Sequence, residues 1–99
     1  MTKAKPEFEG LNGPVTLNDE QQKFWMGLLL RRAEANGREG EVPVSAVVLD
    51  RRGRCVGFGG NTREREQDPL GHAELVAMRQ ASRLRGDWRF NDCTLLVTL

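Results

Sequence analysis

The sequence has 99 residues, room for one small domain and not for two. Hydrophobic residues make up 38%, and fifteen basic residues against fourteen acidic ones leave a net charge of +1, a balance that neither demands nor excludes a polyanionic partner. No apolar run approaches the length of a membrane span, so no membrane partner is expected, and two cysteines without a CxxC pair suggest no disulfide framework.

Residues 1–17 carry Gly, Pro and scattered charge without periodicity and read as a flexible N-terminal arm, leaving residues 18–99 as the folded part. Asn18 with Gln21 three positions later makes a capping-box pattern. Phe24, Trp25, Leu28, Leu29 and Ala35 then recur at helical spacing, and Asn36-Gly37 is a stop signal, so a helix is expected over residues 19–36.

The segment "EVPVSAVVLD" holds Val44 and the run Ala46, Val47, Val48, Leu49 between Pro43 and Asp50. A short, continuous and largely β-branched run of this kind predicts a strand buried on both faces. Arg51, Arg52 and Gly53 signal a turn, and "RCVGFGG" predicts a second strand close enough to form a hairpin with the first. Gly57, Gly59 and Gly60 mark a close approach of this backbone, either to a ligand or to another element.

After the polar stretch "NTREREQDP" a second helix is expected over residues 72–85, stopped by Gly86. The segment "DCTLLVTL" predicts a third strand. The order α-β-β-α-β implies an α/β protein with helices packed on a mixed sheet. The sequence ends inside this last apolar run, so the fold is expected to be cut in or after the third strand, with Leu95, Leu96 or Val97 unusually exposed.

The chemistry-bearing residues cluster in "DPLGHAELVAMRQ". His72 is the sole histidine of the chain, and Glu74 follows two positions later at the start of the second helix. A hydrolytic zinc site needs three protein ligands and an open position for water. A carboxylate outside the ligand set can take the proton of that water and pass it to a nitrogen of the substrate. His72 suits the first role and Glu74 the second. A solvated histidine and an ordinary first-turn glutamate account for the same spacing, and positions i and i+2 do not share one side of a regular helix. Four arginines between Arg79 and Arg89 form either a solvated surface or one that contacts phosphate. Cys55 and Cys93 are expected to act as small buried hydrophobes and not as metal ligands.

Four blocks stand in order: "EVPVSAVVLD", "GFGGN", "DPLGHAELVAMRQA" and "DWRFNDCTLLVTL". Together they resemble the N-terminal portion of the cytidine deaminase-like zinc deaminases, and within them the tRNA-specific adenosine deaminases. That superfamily carries H-x-E followed by P-C-x-x-C. The resemblance implies part of a three-layer α/β/α sandwich and hydrolytic deamination of the wobble adenosine of tRNA to inosine. By position it implies His72 as a zinc ligand, Glu74 as the general acid/base, Asn61 as a hydrogen-bond partner of the target base, and Val42 in the base pocket. Zn²⁺ is the implied cofactor, the tRNA anticodon loop the implied partner, a homodimer the implied assembly and the cytoplasm the implied location. Ser45 stands where the family usually has Gly, and Gly71 where it usually has Ala; both are expected to be tolerated. The Pro-Cys-x-x-Cys segment with the other two ligands does not occur in these 99 residues, so this chain by itself is expected to be inactive and to hold zinc weakly or not at all. A guanine- or cytosine-type small-molecule deaminase and a non-catalytic α/β interaction module are the alternatives.

Overall fold

A computed structural model of the chain describes residues 17–98. Most of the arm expected over residues 1–17 lies outside the described residues. Leu17 does not belong to it: this side chain is buried with Leu29, Val47 and Leu49.

Helix α1 spans Asp19–Arg38. Asn18 Oδ1 accepts the Gln21 N–H at 2.8 Å, and Gln21 Oε1 accepts the Asn18 N–H at 2.9 Å, which closes the expected capping box. The helix runs past the expected stop at Asn36-Gly37. The chain turns away only at Gly40, whose φ of +93° suits glycine. Gly37 stays helical because its missing side chain leaves room for Pro43, whose Cβ would lie 3.2 Å from a Cβ at Gly37.

Strand β1 spans Ser45–Leu49, and strand β2 spans Cys55–Gly60. Between them Asp50 organises the turn: its Oδ1 accepts the N–H groups of Arg52 and Arg54, each at 2.9 Å. Gly53 adopts φ +78° there. Helix α2 spans Ala73–Arg85 and ends on Gly86 in the left-handed region at φ 69°. Strand β3 spans Thr94–Val97.

The sheet order is β2-β1-β3, with β1 in the centre. The mixed sheet expected from the element order is not what the described strands form, since β1 pairs antiparallel with both neighbours. The β2–α2–β3 crossover does join two strands of the same direction, but β1 lies between them and takes the hydrogen bonds of both.

All five β1 residues are buried, and they divide by parity. Ala46 and Val48 pack with Ala73, Ala77 and Ala81 of α2. Val47 and Leu49 pack with Leu17 and with Leu29 of α1. One helix therefore covers each face, giving three α/β/α layers. The α2 side is tight. A Cβ on Gly57 would strike the Ala77 carbonyl, and one on Gly59 would lie 2.6 Å from a Val76 methyl. The close approach signalled by these glycines is to a helix. Leu95 is 42% exposed, as expected for the third strand, while Leu96 and Val97 are half-buried.

Candidate functional site

The N-terminal end of β1 meets the C-terminal ends of β2 and β3. Ser45 pairs with Gly60, and the Ser45 carbonyl accepts the Thr98 N–H at 3.0 Å. The Ser45 hydroxyl, at a position where glycine was expected to be interchangeable, donates to the Leu29 carbonyl and ties α1 to the sheet. Asn61 follows β2 directly. It is 4% exposed, and its N–H donates to the Val44 carbonyl at 3.3 Å.

The segment 62–71 leaves this end and returns to it. Its two ends are joined by the Thr62 N–H, which donates to the Gly71 carbonyl at 2.8 Å. Within it, the Asp68 N–H donates to Arg63 at 3.1 Å, and Asp68 Oδ1 accepts the Leu70 N–H at 2.9 Å. Gly71 presses on this junction: a Cβ there would lie 2.7 Å from Thr62 Oγ1 and 2.8 Å from the Arg63 nitrogen. Alanine at this position would need a shift of the Thr62–Arg63 backbone.

Glu41 fixes the segment from the other side. Its carboxylate is buried, 6% exposed for the residue, and accepts the N–H groups of Glu64 at 3.1 Å and Arg65 at 2.7 Å. Val42, next in sequence, is 48% exposed beside this clamp. Sequence reasoning singled out Val42 and missed Glu41. The signal, a glutamate ahead of Val42-Pro43, was present, but its partners stand 23 and 24 positions away.

His72 is the N-cap residue of α2, with extended backbone at φ −77° and ψ 143°, and its imidazole makes no capping hydrogen bond. Glu74 lies in the first turn. Both are half-buried, and neither side chain has a hydrogen-bond or ion-pair partner among the described residues. The extended cap residue removes the difficulty that i and i+2 diverge on a helix, because His72 is not yet helical. The Thr62–Gly71 bond sets Asn61 and His72 on the two chain segments leaving one junction. The helix start adds a positive end of the α2 dipole, which favours negative charge there.

Zinc takes three protein ligands in a catalytic site. His72 meets the need for one. Among the described residues no group of three or more His, Cys, Asp or Glu side chains could hold a metal ion, so these residues do not by themselves fit zinc. The cysteines lie elsewhere. Cys55 pairs with Leu49, and Cys93 precedes Thr94, which also pairs with Leu49, so both sit at the opposite end of β1. Cys93 is partly buried and packs against the cluster of Ala46 and Val48, as expected, whereas Cys55 is not buried. Cys55 is exposed on an edge strand, and half-buried Cys93 accepts a hydrogen bond from Arg85 Nη1 at 3.0 Å and contacts Asp92 Oδ1 at 3.5 Å. Desolvation pushes both thiols above their ordinary value, which disfavours the metal-binding thiolate.

In the arginine-rich stretch, Arg85 pairs with Asp92 at 2.7 Å, and Arg89 pairs with Asp87 at 3.1 Å and lies over the Trp88 ring. Arg79 and Arg83 are exposed on α2.

Known proteins resemble this chain in sequence and in fold. The tRNA-specific adenosine deaminase of Streptococcus pyogenes is 35% identical over 80 residues, which cover 81% of this chain and 50% of that protein. The tRNA(Ile)-lysidine synthase of Deinococcus radiodurans is 46% identical over 74 residues, covering 75% of this chain and 13% of that protein. Among solved structures, a tRNA:A34 deaminase studied for A-to-I editing at the wobble position matches with a TM-score of 0.74 and 32% identity, over 79% of this chain and 59% of that one. Guanine deaminase from Bacillus subtilis matches with a TM-score of 0.71 and 27% identity, over 82% of this chain and 50% of that one. The chain spans about half the length of the adenosine deaminase relatives it matches. The sequence model of the cytidine and deoxycytidylate deaminase zinc-binding region matches residues 19–99, and with more than half of its length so matched the chain belongs to that family.

Proposed function

We propose that this chain supplies the His-x-Glu half of a zinc-dependent hydrolytic deaminase that converts the wobble adenosine of tRNA to inosine. One observation carries the reading: a half-buried imidazole and a half-buried carboxylate, both without partners among the described residues, stand at one helix start beside Asn61. Side chains without an internal partner keep their donors and acceptors available to a ligand.

In the reaction, water adds at C6 of adenine and the amino group leaves as ammonia. Zinc held by a complete ligand set would supply a water acidic enough to give hydroxide near neutral pH. His72 would provide one nitrogen toward such a site, and a complete site takes two more ligands than these residues supply. Glu74 takes the proton from the attacking water on a carboxylate oxygen and returns it to the departing nitrogen. Asn61 Oδ1 accepts the Arg63 N–H at 3.0 Å, which fixes the amide and leaves Nδ2 as the donor to an acceptor atom of the base. Val42 offers an exposed apolar surface on the segment that Glu41 fastens beside Asn61.

The choice of tRNA over a free base rests on the names of the similar proteins, two kinds of which act on tRNA. The likeness to a guanine deaminase supports the second reading, a free purine as substrate. The test supplies the chain with a family Pro-Cys-x-x-Cys segment, fused or as a second chain, and offers tRNA and guanine in parallel. Inosine in tRNA with guanine unchanged is the expected result. Guanine turnover without inosine reverses the choice of substrate, and no turnover of either overturns the deaminase assignment.

A further inference from the structure

A hollow of about 690 Å³ opens at the hairpin end of the sheet, lined by Arg51, Arg52, Arg54, Arg85, Asp50 and Asp92 among others. It lies by Leu49, whereas His72 and Asn61 lie beyond Ser45. Four strand steps at about 3.3 Å each put the two ends some ~13 Å apart.

Four guanidinium groups line this hollow with two carboxylates, and both carboxylates are already engaged. Asp50 is 8% exposed; its Oδ1 accepts two backbone N–H groups, and its Oδ2 accepts Arg54 Nε at 2.9 Å. Asp92 Oδ1 accepts Arg85 Nη2 at 2.7 Å. The acids therefore act as struts that hold Arg54 and Arg85 in place, and Arg52 adds a positive charge that neither acid meets. Arg52 has no side-chain partner among the described residues. A partly enclosed cleft of one sign focuses its field and concentrates counter-ions. Arginine forks suit the oxygens of a phosphate, and a fork already held in position loses less freedom on binding.

We propose that this hollow binds a phosphate group, either inorganic phosphate or a phosphodiester of RNA, at a site separate from the His72–Glu74 end. The site needs neither zinc nor the residues of the deaminase reading, so the two stand or fall separately. Arg52 provides the free fork, Arg54 adds the terminal nitrogens not engaged by Asp50, and Arg85 closes the helix side.

The test begins with amide NMR of the full chain titrated with inorganic phosphate. Saturable shifts are expected at Arg52, Arg54 and Asp92, and not at residues 62–72, with half-saturation at about 1 mM phosphate. Arg52→Gln and Arg52→Glu should abolish them, with Arg31→Glu on α1 as a control of equal charge change. The second arm measures tRNA affinity by fluorescence anisotropy. For an RNA phosphodiester, Arg52→Glu should weaken binding about tenfold and reduce the salt slope by about one, with Arg31→Glu changing it less than about twofold. Phosphate shifts abolished by Arg52→Gln with unaltered tRNA affinity keep the site and assign it to a free phosphate. Absence of saturable shifts at the hairpin, or shifts that persist in both Arg52 variants, overturns the proposal.

Discussion

The Thr62 N–H donates to the Gly71 carbonyl at 2.8 Å, and through this bond Asn61 and His72 emerge side by side from one junction. Eleven positions of sequence separate the two candidate site residues, and a single backbone contact joins their segments. Gly71→Ala places a methyl group against Thr62 and the Arg63 nitrogen. Overpacking of this kind costs about 1–3 kcal/mol. For a chain of this size each kcal/mol lowers Tm by roughly 4–8 °C. Thermal unfolding of the variant checks it, and an unchanged Tm would show that the junction yields freely.

Glu41 tests the other fastening. Glu41→Ala leaves the Glu64 and Arg65 amides without their acceptor. Hydrogen bonds to a charged group contribute about 1.5–3 kcal/mol each, part of which water recovers at this loop. Amide hydrogen exchange at Glu64 and Arg65 should accelerate by at least about tenfold, equivalent to roughly 1.4 kcal/mol, with the β1 amides little affected. Glu41→Gln keeps one acceptor oxygen and should protect only one of the two. Equal exchange in all three proteins removes Glu41 from the account.

The hairpin carries a pH signature. Burial pushes the Asp50 carboxyl up, but the N–H bonds from Arg54 and Arg52 and the Arg54 guanidinium outweigh it, leaving the pKa below its ordinary value of 3.8. The folded chain thus binds this proton more weakly than the unfolded chain. The stabilisation is complete above the unfolded value and is lost as pH falls from there through the folded one. Urea unfolding of Asp50→Asn against the parent should show a stability gap at pH 7 that narrows as pH falls below about 4. A gap that is constant with pH would assign the effect to packing instead of charge.

Much of the fold was legible because its signals are local. Asn18 and Gln21 bond each other across three positions, and the run from Ala46 to Leu49 can bury both parities only in the centre of a sheet. The end of α1 was misread because Gly37 lowers helix propensity without ending a helix, and the chain turns only where Gly40 takes a positive φ. The Glu41 clamp and the junction at Gly71 depend on contacts far apart in sequence, which no periodicity encodes. Cys55 was misplaced for a similar reason. Its residue type favours burial, but its position at the hairpin end of an edge strand exposes it. His72 and Glu74 were legible as residue types, whereas their lack of partners is visible only in three dimensions.

The proposed roles are a proton shuttle for Glu74 and a metal ligand for His72. Their direct test is the zinc content and inosine yield of the chain supplied with a Pro-Cys-x-x-Cys segment, comparing the parent with Glu74→Gln and His72→Ala. The account predicts that the Glu74→Gln protein keeps stoichiometric zinc and loses inosine formation by at least about a hundredfold, the lower range for a general acid/base group. It predicts that His72→Ala loses the zinc as well. Inosine formation at the parent rate by Glu74→Gln, or full zinc retention by His72→Ala, would contradict it.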